Sequence, residues 1–491
     1  MNLTGAVKLV SPHNTILIVS DNHTRNALGC YGHPAVYSPN IDRIAERGTL
    51  FSSAYSASPL CGPSRAAIAT GRFPHQTGFW DNVLVFDGSA PSWMQRLRDQ
   101  GHSVTAIGKL HYRSTDDDNG MSEEIVPMHI VGGRGQVSAL LRWCGQEPPM
   151  NAQRSIYLYE CGEGLSDYGE YDVTVLQKAL EWLEENGDIK QPWTLIVSFT
   201  CPHPPFKTPQ RFLDLYRPED MPLPKQTQLS EHPDHPALEI LRNSKNYRDM
   251  WDEDALRTIA ASYFALISMV DEKIGHLLDA VERSGLTETT RLIYTSDHGE
   301  CLGAHGLFGK SCLYEEAIGV PLVMSGPDVP VKNVVNVPVS HVDLFPTLVS
   351  AGGGHLASED SDLPGRSLFE TFNKQSADRP IFAEYHATGS EAGAFMLREQ
   401  NMKLIYHVGM RPQLFDLDAD PFEQKDLTTN TDCLDRLEQH LREFCDPEAE
   451  DLRAKKAQQH HADTLGGTEA ILNTGVFKRS PVPGNDADYS A

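Results

Sequence analysis

The chain has 491 residues, of which 40% are hydrophobic and 22% are charged, and its formal net charge is −25 at pH 7. This length exceeds the size at which one hydrophobic core usually stops growing, so we expect one large domain and a smaller one. This net negative charge argues against nucleic acids and anionic membrane surfaces as partners, because both bind to basic surfaces.

The N-terminal residues and the cysteines bear on the compartment. Residues 1–11 show no long apolar run after a basic segment, and the apolar run at 16–19 is too short for the core of a signal peptide. No later segment reaches the roughly 18 apolar residues that a membrane span needs. The nine cysteines are odd in number and show no close metal-binding pairs, which favours reduced thiols. These features predict a cytoplasmic protein without a membrane span.

Predicted strands and helices alternate through the first part of the chain. Short apolar runs predict strands at 15–20, 104–107, 193–200, 292–295 and 321–325. Helices are predicted at 39–47, from about 63 onwards, and at 92–99, 172–185, 252–284 and 343–351. This alternation indicates a mostly parallel sheet covered by helices on both faces. Open sheets of this kind place their sites at the carboxyl ends of strands, and polar residues follow four of those ends here.

The second part of the chain has a different pattern. Residues 352–378 are rich in Gly, Ser, Asp and Pro, which indicates a connection to a second region. Closely spaced strands at 380–383, 394–398, 403–406 and 413–416 favour an antiparallel sheet, and a helix is predicted at 431–444. The tail has no periodicity, so we expect an arm on a neighbouring subunit or disorder. We therefore predict a large domain, a small C-terminal domain and a tail or oligomerisation arm, at residues 1–365, 366–465 and 466–491.

Residues 59–72 contain the most informative local pattern, in which Cys61 precedes Pro63 and Arg65. Pro63 suits the first turn of a helix, and residues 66–69 continue that helix well. Cys61 is therefore expected at a helix N-terminus, where free N–H groups and the helix dipole favour an anion such as sulfate or phosphate. Arg65, one turn on, adds a fixed cation on the same face. A buried Cys with a salt-bridged Arg is the structural alternative.

Continued by Thr70, Gly71 and Arg72, this pattern resembles the Cys-x-Pro-Ser-Arg signature of the type I sulfatases of the alkaline phosphatase-like superfamily. The resemblance implies an α/β sandwich with a large, mostly parallel central sheet, and a smaller C-terminal α+β domain with an antiparallel sheet. The large domain would then be the catalytic domain. The resemblance also implies that a formylglycine-generating enzyme converts Cys61 to formylglycine (3-oxoalanine), whose hydrate attacks the sulfur of a sulfate ester.

The resemblance extends to the ligands of one divalent cation, which would orient the nucleophile and neutralise sulfate charge. Asp21 ends the first predicted strand, Asp297 and His298 follow a late one, and these residues and the modified Cys61 match the family's metal site. Asn22 stands where many members have an acidic residue or Gln, and its carbonyl oxygen keeps it a candidate ligand. Oxygen ligands favour Ca²⁺ or Mg²⁺, whereas His298 in place of the Asn of many members makes Mn²⁺ an equal candidate.

Four further residues match catalytic positions of the family. Lys109 would bind a sulfate or hydrate oxygen, and His111 would take a proton from the remaining hydroxyl of the intermediate and so release sulfate. His203 matches a histidine that contacts sulfate and protonates the leaving oxygen. Lys310 follows residues 297–300 by a Gly-rich loop and matches a lysine that binds sulfate beside the metal. Each alone would more often be structural, whereas their joint order along the chain indicates a catalytic site.

Within the superfamily, the same cysteine signature also serves phosphonate monoester and phosphodiester hydrolases. Those relatives tend to carry Tyr and Thr where this chain has Lys109 and His111, so the pair favours a sulfate monoester and a sulfuric ester hydrolase. Phosphonate or phosphodiester hydrolysis is the alternative. The retained site residues disfavour a catalytically dead sulfatase-like binding protein. Cys61 disfavours a phosphomutase, because such enzymes use Ser or Thr as the nucleophile.

Local features also resemble choline sulfatases and related cytoplasmic enzymes. Residues 78–82 and 382–386 match pieces of those proteins, and aromatic and acidic groups there would suit a cationic or polar alcohol. The candidate substrate-binding residues are Trp80, Asn82, Glu384 and Tyr385. A core role for the two aromatic residues is the alternative. The chain departs from those enzymes at about 115–170, so choline, aryl and carbohydrate sulfates all stay candidate substrates. Relatives with C-terminal arms are often dimers or tetramers, which predicts a homo-oligomer.

Overall fold

The computed structural model describes residues 10–142, 157, 160–187, 189–247, 252–372, 379–477, 479–487 and 489–490. Within these ranges the strands are, in chain order, β1 (Asn14–Asp21), β2 (Gly48–Phe51), β3 (Ala54–Tyr55), β4 (Ser103–Lys109), β5 (Glu123–Met128), β6 (Cys161–Glu163), β7 (Trp193–Pro202), β8 (Phe206–Thr208), β9 (Thr290–Ser296), β10 (Gly319–Val320), β11 (Leu322–Ser325), β12 (Asn333–Val335), β13 (Val339–Ser340), β14 (Ile381–Tyr385), β15 (Ala394–Glu399), β16 (Met402–His407), β17 (Gln413–Asp416), β18 (Val476–Phe477) and β19 (Tyr489–Ser490). The α-helices are α1 (Pro39–Glu46), α2 (Cys61–Thr70), α3 (Pro74–Thr77), α4 (Trp93–Asp99), α5 (Asp167–Asn186), α6 (Gln210–Leu213), α7 (Pro236–Lys245), α8 (Glu253–Arg283), α9 (Glu315–Ile318), α10 (Leu344–Gly352), α11 (Leu368–Thr371), α12 (Thr431–Phe444), α13 (Pro447–Thr464) and α14 (Gly467–Leu472).

An eight-stranded sheet forms the centre of the protein, in the order β12-β2-β11-β9-β1-β7-β4-β5. β1 pairs in parallel with both β7 and β9, whereas β11 is antiparallel to its two neighbours. Every residue of β1 is buried, as its apolar run predicts for a strand covered on both faces. The predicted α/β fold with a large, mostly parallel central sheet is confirmed.

Helices cover both faces of this sheet, because the side chains of each strand alternate between the faces. Ile16 and Ile18 of β1 pack in one apolar cluster with residues of α1, α5 and α8. Leu17 and Val19 pack in the other cluster with residues of α2, α4 and α10. The helix that begins at Cys61 is thereby held against the centre of the sheet. None of the helices in the described ranges has the length and apolarity that crossing a membrane requires.

A second sheet follows, with four antiparallel strands in the order β14-β15-β16-β17. It confirms the predicted antiparallel sheet of the C-terminal region, and Leu437 and Leu441 of α12 pack on it. The sequence predicts no helix at α13, because this helix is mostly polar and buries groups such as Asp451 and Gln458. It predicts none at α7 either, where the N-cap is His235 instead of a preferred Ser, Thr, Asp or Asn.

A buried charge cluster joins the two sheets. Lys403 of β16 lies 2.9 Å from a carboxylate oxygen of Glu315 and 2.8 Å from one of Glu423. Arg25 lies 2.6 Å from the other oxygen of Glu315. Burial would raise the pKa of Glu315, but the charges of Lys403 and Arg25 outweigh it and lower that pKa. Removing one partner of such a cluster leaves an uncompensated buried charge, which costs about 3–5 kcal/mol.

The C-terminal segment, comprising residues 476–477 and 479–487, packs on its own chain. Arg479 Nη2 lies 3.0 Å from the carboxylate of Asp167, at the start of α5. The hydroxyl of Tyr168 donates a hydrogen bond of 2.8 Å to the carbonyl oxygen of Ser480. The sequence predicts a tail that is disordered or reaches a neighbouring subunit. In the structure these polar contacts hold the segment against α5 of its own chain, and a contact with a neighbouring subunit stays a prediction.

Candidate active site

The candidate site lies at the carboxyl ends of neighbouring strands in the central sheet. Asp21 is the last residue of β1, Lys109 is the last residue of β4, and Asp297 follows β9 directly. Because β4, β7, β1 and β9 run in parallel, these ends meet at one edge of the sheet. α2 begins there at Cys61, where its free N–H groups and helix dipole favour a bound anion.

Cys61 occupies the centre of the site and is almost fully buried, with 2% of its surface exposed. The sulfur of its free thiol lies 3.2 Å from Nε2 of His298 and accepts a hydrogen bond of 3.1 Å from Nζ of Lys310. Burial and the charge of Asp21 would raise the thiol pKa. The nearby positive charges, led by Lys310, outweigh both and hold that pKa well below its ordinary value. The unmodified side chain is therefore stabilised as a thiolate.

Two carboxylates and an imidazole surround the Cys61 sulfur. Asp21, Cys61, Asp297 and His298 offer ligand atoms that all lie within 4.8 Å of one another. Burial, together with the charge of Asp21, raises the pKa of Asp297 to about 6. For Asp21 itself, burial is outweighed by positive charges, above all that of Lys109, and the pKa is lowered. A divalent cation would relieve the repulsion between the two carboxylates.

Asn22 adds a further oxygen to this set. Its backbone φ of 74° is in the left-handed region, which Asn adopts more readily than most residues. Its side-chain amide donates a hydrogen bond of 2.7 Å to Glu300, and its backbone N–H donates one of 3.2 Å to Asp297. The buried Oδ1 of Asn22 has no hydrogen-bond partner within the described ranges. An unpaired oxygen beside these carboxylates fits an oxygen-binding cation such as Ca²⁺, Mg²⁺ or Mn²⁺.

Arg65 lies one turn inside α2 and contacts several residues of the site. Its Nε donates a hydrogen bond of 2.9 Å to Asp297, and its Nη1 donates to the carbonyl oxygen of Lys109 at 2.7 Å and to Oγ of Ser198 at 3.0 Å. Its Nη2 lies 3.4 Å from Asp21, and only 6% of its side chain is exposed. Arg65 therefore fixes both carboxylates relative to the end of β4, through the several donors of one guanidinium.

Lys109 and Lys310 place two ammonium groups beside Cys61. Nζ of Lys109 lies 2.5 Å from Oδ2 of Asp21, and Nζ of Lys310 lies 3.8 Å from Oδ1. Burial would lower the pKa of each lysine, but the surrounding anions outweigh burial and raise both pKa values. Both side chains stay protonated and are placed to bind an anionic group that reaches Cys61.

The two predicted catalytic histidines are held neutral. Burial is the main cause that lowers the pKa of His111, and burial with the charge of Lys310 lowers that of His203 to about 3. Nδ1 of His203 lies 2.8 Å from the carbonyl oxygen of Pro204, which assigns the ring proton to Nδ1 and leaves Nε2 as the basic nitrogen. Nδ1 of His111 is buried without a hydrogen-bond partner among the described residues.

A cavity of about 220 Å³ opens beside Cys61. The predicted site residues in its lining are Cys61, Asn82, Lys109, His111, His203, Lys310 and Tyr385. The side-chain oxygen of Asn82 accepts a hydrogen bond of 2.8 Å from the N–H of Gly62, so Asn82 also steadies the first turn of α2. Cys61, both lysines and both histidines thus border one space that suits a small molecule.

Two predicted substrate-binding residues lie elsewhere. Trp80 is 2% exposed and packs edge-on against His386, with ring centroids 4.9 Å apart. Glu384 is fully buried and accepts hydrogen bonds of 2.8 Å from His75 and 2.9 Å from His386. Neither is among the described residues that line the cavity. Buried partners satisfy both side chains away from the cavity, and their role in substrate binding stays a prediction.

The lining also includes residues that no sequence pattern predicts there, among them Tyr168, Lys245 and Arg479. The ring of Tyr168 packs edge-on against His203 at 5.5 Å and lies 5.8 Å from Nζ of Lys109. Because its hydroxyl also holds Ser480, the C-terminal segment forms part of the cavity wall. For Tyr168, its position at the start of α5 is the one local feature that relates it to the site. No pattern in the sequence places Arg479 at the site.

A cysteine at a helix start, beside buried acidic side chains at the carboxyl ends of parallel strands, lies here in an alkaline phosphatase-like fold. A solved structure, that of the phosphonate monoester hydrolase of Agrobacterium radiobacter, shares this fold with a TM-score of 0.71. The two are 24% identical, and the match covers 91% of this chain and 96% of that one.

The sequence comparisons are more specific. The Sulfatase family matches residues 13–354, and the family described as N-sulphoglucosamine sulphohydrolase, C-terminal, matches residues 303–447. The choline-sulfatase of Rhizobium meliloti (strain 1021) is 30% identical over 409 residues, which are 80% of this chain and 78% of that protein. Arylsulfatase K of Mus musculus is 30% identical over 446 residues, 85% of this chain and 76% of that protein. The chain belongs to the sulfatase family and is a sulfuric ester hydrolase.

Proposed function

We propose that the protein hydrolyses a sulfate monoester to an alcohol and inorganic sulfate, in a divalent-metal-dependent reaction with a formylglycine derived from Cys61 as the nucleophile. The observation that carries the proposal is the surroundings of the Cys61 sulfur, with Lys310 at 3.1 Å and His298 at 3.2 Å. A nucleophile in this place meets cations for the sulfate and acidic ligands for a metal. The hydrated aldehyde of formylglycine would supply the hydroxyl that attacks sulfur.

The cation would be held by Asp21, Asp297, His298 and residue 61, with Asn22 as a further oxygen ligand. When bound, a Ca²⁺, Mn²⁺ or Mg²⁺ ion lowers the pKa of a neighbouring hydroxyl and offsets the charge of the sulfate. The unpaired Oδ1 of Asn22 supports this ligand set.

The remaining groups bind sulfate and move protons. The ammonium groups of Lys109 and Lys310 bind sulfate oxygens, and the bridging contacts of Arg65 keep the carboxylates in place. His111 is neutral and accepts a proton from the nucleophile's second hydroxyl as sulfate leaves. His203 is also neutral in the free site. The negative charge of a bound sulfate ester raises its pKa, so His203 gains the proton that it gives to the leaving oxygen only when substrate is present.

The proposed function also includes a maturation partner, an oligomeric state and a location. A formylglycine-generating enzyme is the maturation partner, the protein forms a homodimer or homotetramer, and it is located in the cytoplasm. Light scattering after size-exclusion chromatography tests the oligomer, and fractionation of the source cells tests the location.

Hydrolysis of a phosphonate monoester or phosphodiester is the second candidate, because a phosphonate monoester hydrolase shares the fold. That likeness rests on 24% identity and concerns architecture alone. Lys109 and His111 in the cavity lining favour the sulfate monoester. A protein without catalysis would not need the buried cations and neutral bases that converge on Cys61.

One experiment distinguishes the sulfatase, the phosphonate hydrolase and the binding protein. The protein is coexpressed with a formylglycine-generating enzyme, and mass spectrometry of the tryptic peptide containing Cys61 measures conversion of the thiol to the aldehyde. Modified protein is then assayed with an aryl sulfate and with the matching aryl phosphonate monoester. We expect conversion and faster hydrolysis of the sulfate, and loss of both in Cys61→Ala. Faster hydrolysis of the phosphonate would establish the second candidate, and an unmodified, inactive thiol would establish a binding protein.

A further inference from the structure

The end of α7 contributes a cation to the cavity that the proposed reaction does not use. Lys245 is the last residue of this helix, and it lines the cavity. The other cations of the lining each have an acidic neighbour: Lys109 and Lys310 meet Asp21, and Arg479 pairs with two carboxylates. Within the described ranges, no acidic side chain forms an ion pair with Lys245.

The environment of Lys245 differs from that of an ordinary lysine at a helix end. A solvated lysine there interacts with the helix dipole and keeps an ordinary pKa. Burial, with a smaller contribution from the charge of Lys310, instead lowers the pKa of Lys245 to about 8. The described residues therefore give this ammonium group no compensating negative charge.

The described part of the lining also offers little to a cationic substrate. Asp81 is the one carboxylate among the described lining residues. One of its oxygens accepts hydrogen bonds of 2.8 Å from the N–H groups of Val83 and Leu84, and the other accepts one of 2.7 Å from Gln458. Both oxygens thus accept hydrogen bonds, whereas none of the described acidic residues pairs with the ammonium group of Lys245.

We infer that Lys245 binds a second anionic group, a carboxylate or a second sulfate, on the alcohol half of the sulfate ester. The inference rests on the proposed function, because it names the substrate class of the same site. An anion at this point gives Lys245 the counter-charge that the described residues do not supply. A cationic group such as trimethylammonium meets repulsion there.

The test compares four esters that differ in one substituent: phenyl sulfate, 3-sulfooxybenzoate, benzene-1,3-diyl disulfate and 3-(trimethylammonio)phenyl sulfate. Modified wild-type protein should show a kcat/KM about tenfold higher for an anion-bearing ester than for phenyl sulfate, the size expected for a charged hydrogen bond. The larger increase in kcat/KM, for the carboxylate ester or for the disulfate, identifies the anion that Lys245 binds. The trimethylammonio ester should be the poorest of the four.

Variants assign the preference to Lys245. Lys245→Met should reduce the ratio of anionic to neutral ester to about 1, because a methionine cannot attract the charge. Lys245→Glu should reverse the preference in favour of the trimethylammonio ester. Lys456→Met removes an exposed lysine of α13 as a matched control and should keep the wild-type ratio.

The outcomes separate the inference from the proposed function. Hydrolysis of phenyl sulfate without an anionic preference, or a preference that survives Lys245→Met, overturns the inference and leaves the sulfatase proposal intact. Absence of turnover with every ester contradicts the proposed function instead. Calorimetric binding of the same esters to Cys61→Ala then decides the inference, which requires the same tenfold difference in Kd and its loss in the double variant with Lys245→Met.

Discussion

Glu384 accepts two hydrogen bonds of 2.8 Å from His75, one from the backbone N–H and one from Nδ1 of the ring. His75 lies on α3, which follows the site helix α2, and Glu384 lies on β14 of the second sheet. Burial would lower the pKa of His75, but the charge of Glu384 outweighs it and raises that pKa. The pair therefore acts as a buried ion pair that joins the second sheet to the region of α2 and α3.

This pair predicts a pH-dependent stability difference between the wild type and His75→Gln. A raised histidine pKa stabilises the folded state fully below pH 6.5, and the contribution is lost as the pH rises through the raised value. We expect His75→Gln to lower the free energy of unfolding by about 2 kcal/mol at pH 6 and by less at pH 9. Urea titrations at both pH values measure this. The exposed His355→Gln is the control, and an equal loss at both pH values would refute the assignment.

Replacing Arg65 by Lys should abolish most of the activity. A lysine cannot reach Asp297, the Lys109 carbonyl and Ser198 at the same time, so the carboxylates lose their fixed position. We expect kcat/KM for an aryl sulfate to fall by about 100-fold or more, as for other losses of preorganised charge. Arg72→Lys changes a guanidinium that pairs with the exposed Asp362 and should leave kcat/KM within about twofold. Equal kcat/KM values of the two variants would show that Arg65 does not position the site.

Metal removal should lower the thermal stability of the protein as well as its activity. Asp21 and Asp297 are fully buried side by side, and an ion at 100 times its Kd would add about 2.7 kcal/mol to the folded state. Tm is measured after chelation and after addition of Ca²⁺, Mn²⁺ or Mg²⁺, and the largest increase identifies the preferred ion. Asp297→Asn should reduce the increase, whereas exposed Asp418→Asn should keep it. A Tm that no divalent ion changes would argue against a metal in this cluster.

The hydroxyl of Tyr168 should hold the C-terminal segment at the cavity. In Tyr168→Phe the ring still packs on His203, but the hydrogen bond to Ser480 is lost. We expect faster trypsin cleavage at Arg479 and a decrease of up to about tenfold in kcat/KM, the size of one hydrogen bond. Tyr171→Phe is the matched control, because that hydroxyl donates to Val126 away from the segment. Cleavage rates that agree in both variants would show that the segment is held by other contacts.

Residues at strand ends were accessible to sequence reasoning for a physical reason. An apolar run predicts a buried strand, and the first polar residue after it must lie at the edge of the sheet. Asp21, Lys109 and Asp297 follow from this rule, and the structure brings all three within one cluster. Lys245 and Arg479 do not follow from it. Lys245 ends α7, a helix with an unusual N-cap, and Arg479 belongs to a segment without periodicity. Only tertiary contacts place these two residues at the cavity.

Residue type alone was less informative than residue position. Trp80 and Glu384 have side chains that suit a cationic alcohol, but both are buried against His386. The ring of Trp80 also lies 5.0 Å from the guanidinium of Arg453 on α13, a helix that the sequence does not predict. A binding residue and a packing residue of the same type differ only in their neighbours, and these neighbours come from distant parts of the chain.

We expect the buried cluster of Lys403, Glu315 and Glu423 to oppose a separate opening of the second sheet. Lys403 belongs to the second sheet, whereas Glu315 belongs to α9 and is also held by Arg25 near the end of β1. Separation of the second sheet from the sandwich would leave a charge without its partner at the moment of opening. The loss of these buried ion pairs adds to the free energy of such a partial opening, so we expect both sheets to open together. Backbone amides of β16 should then exchange with solvent as slowly as those of β1.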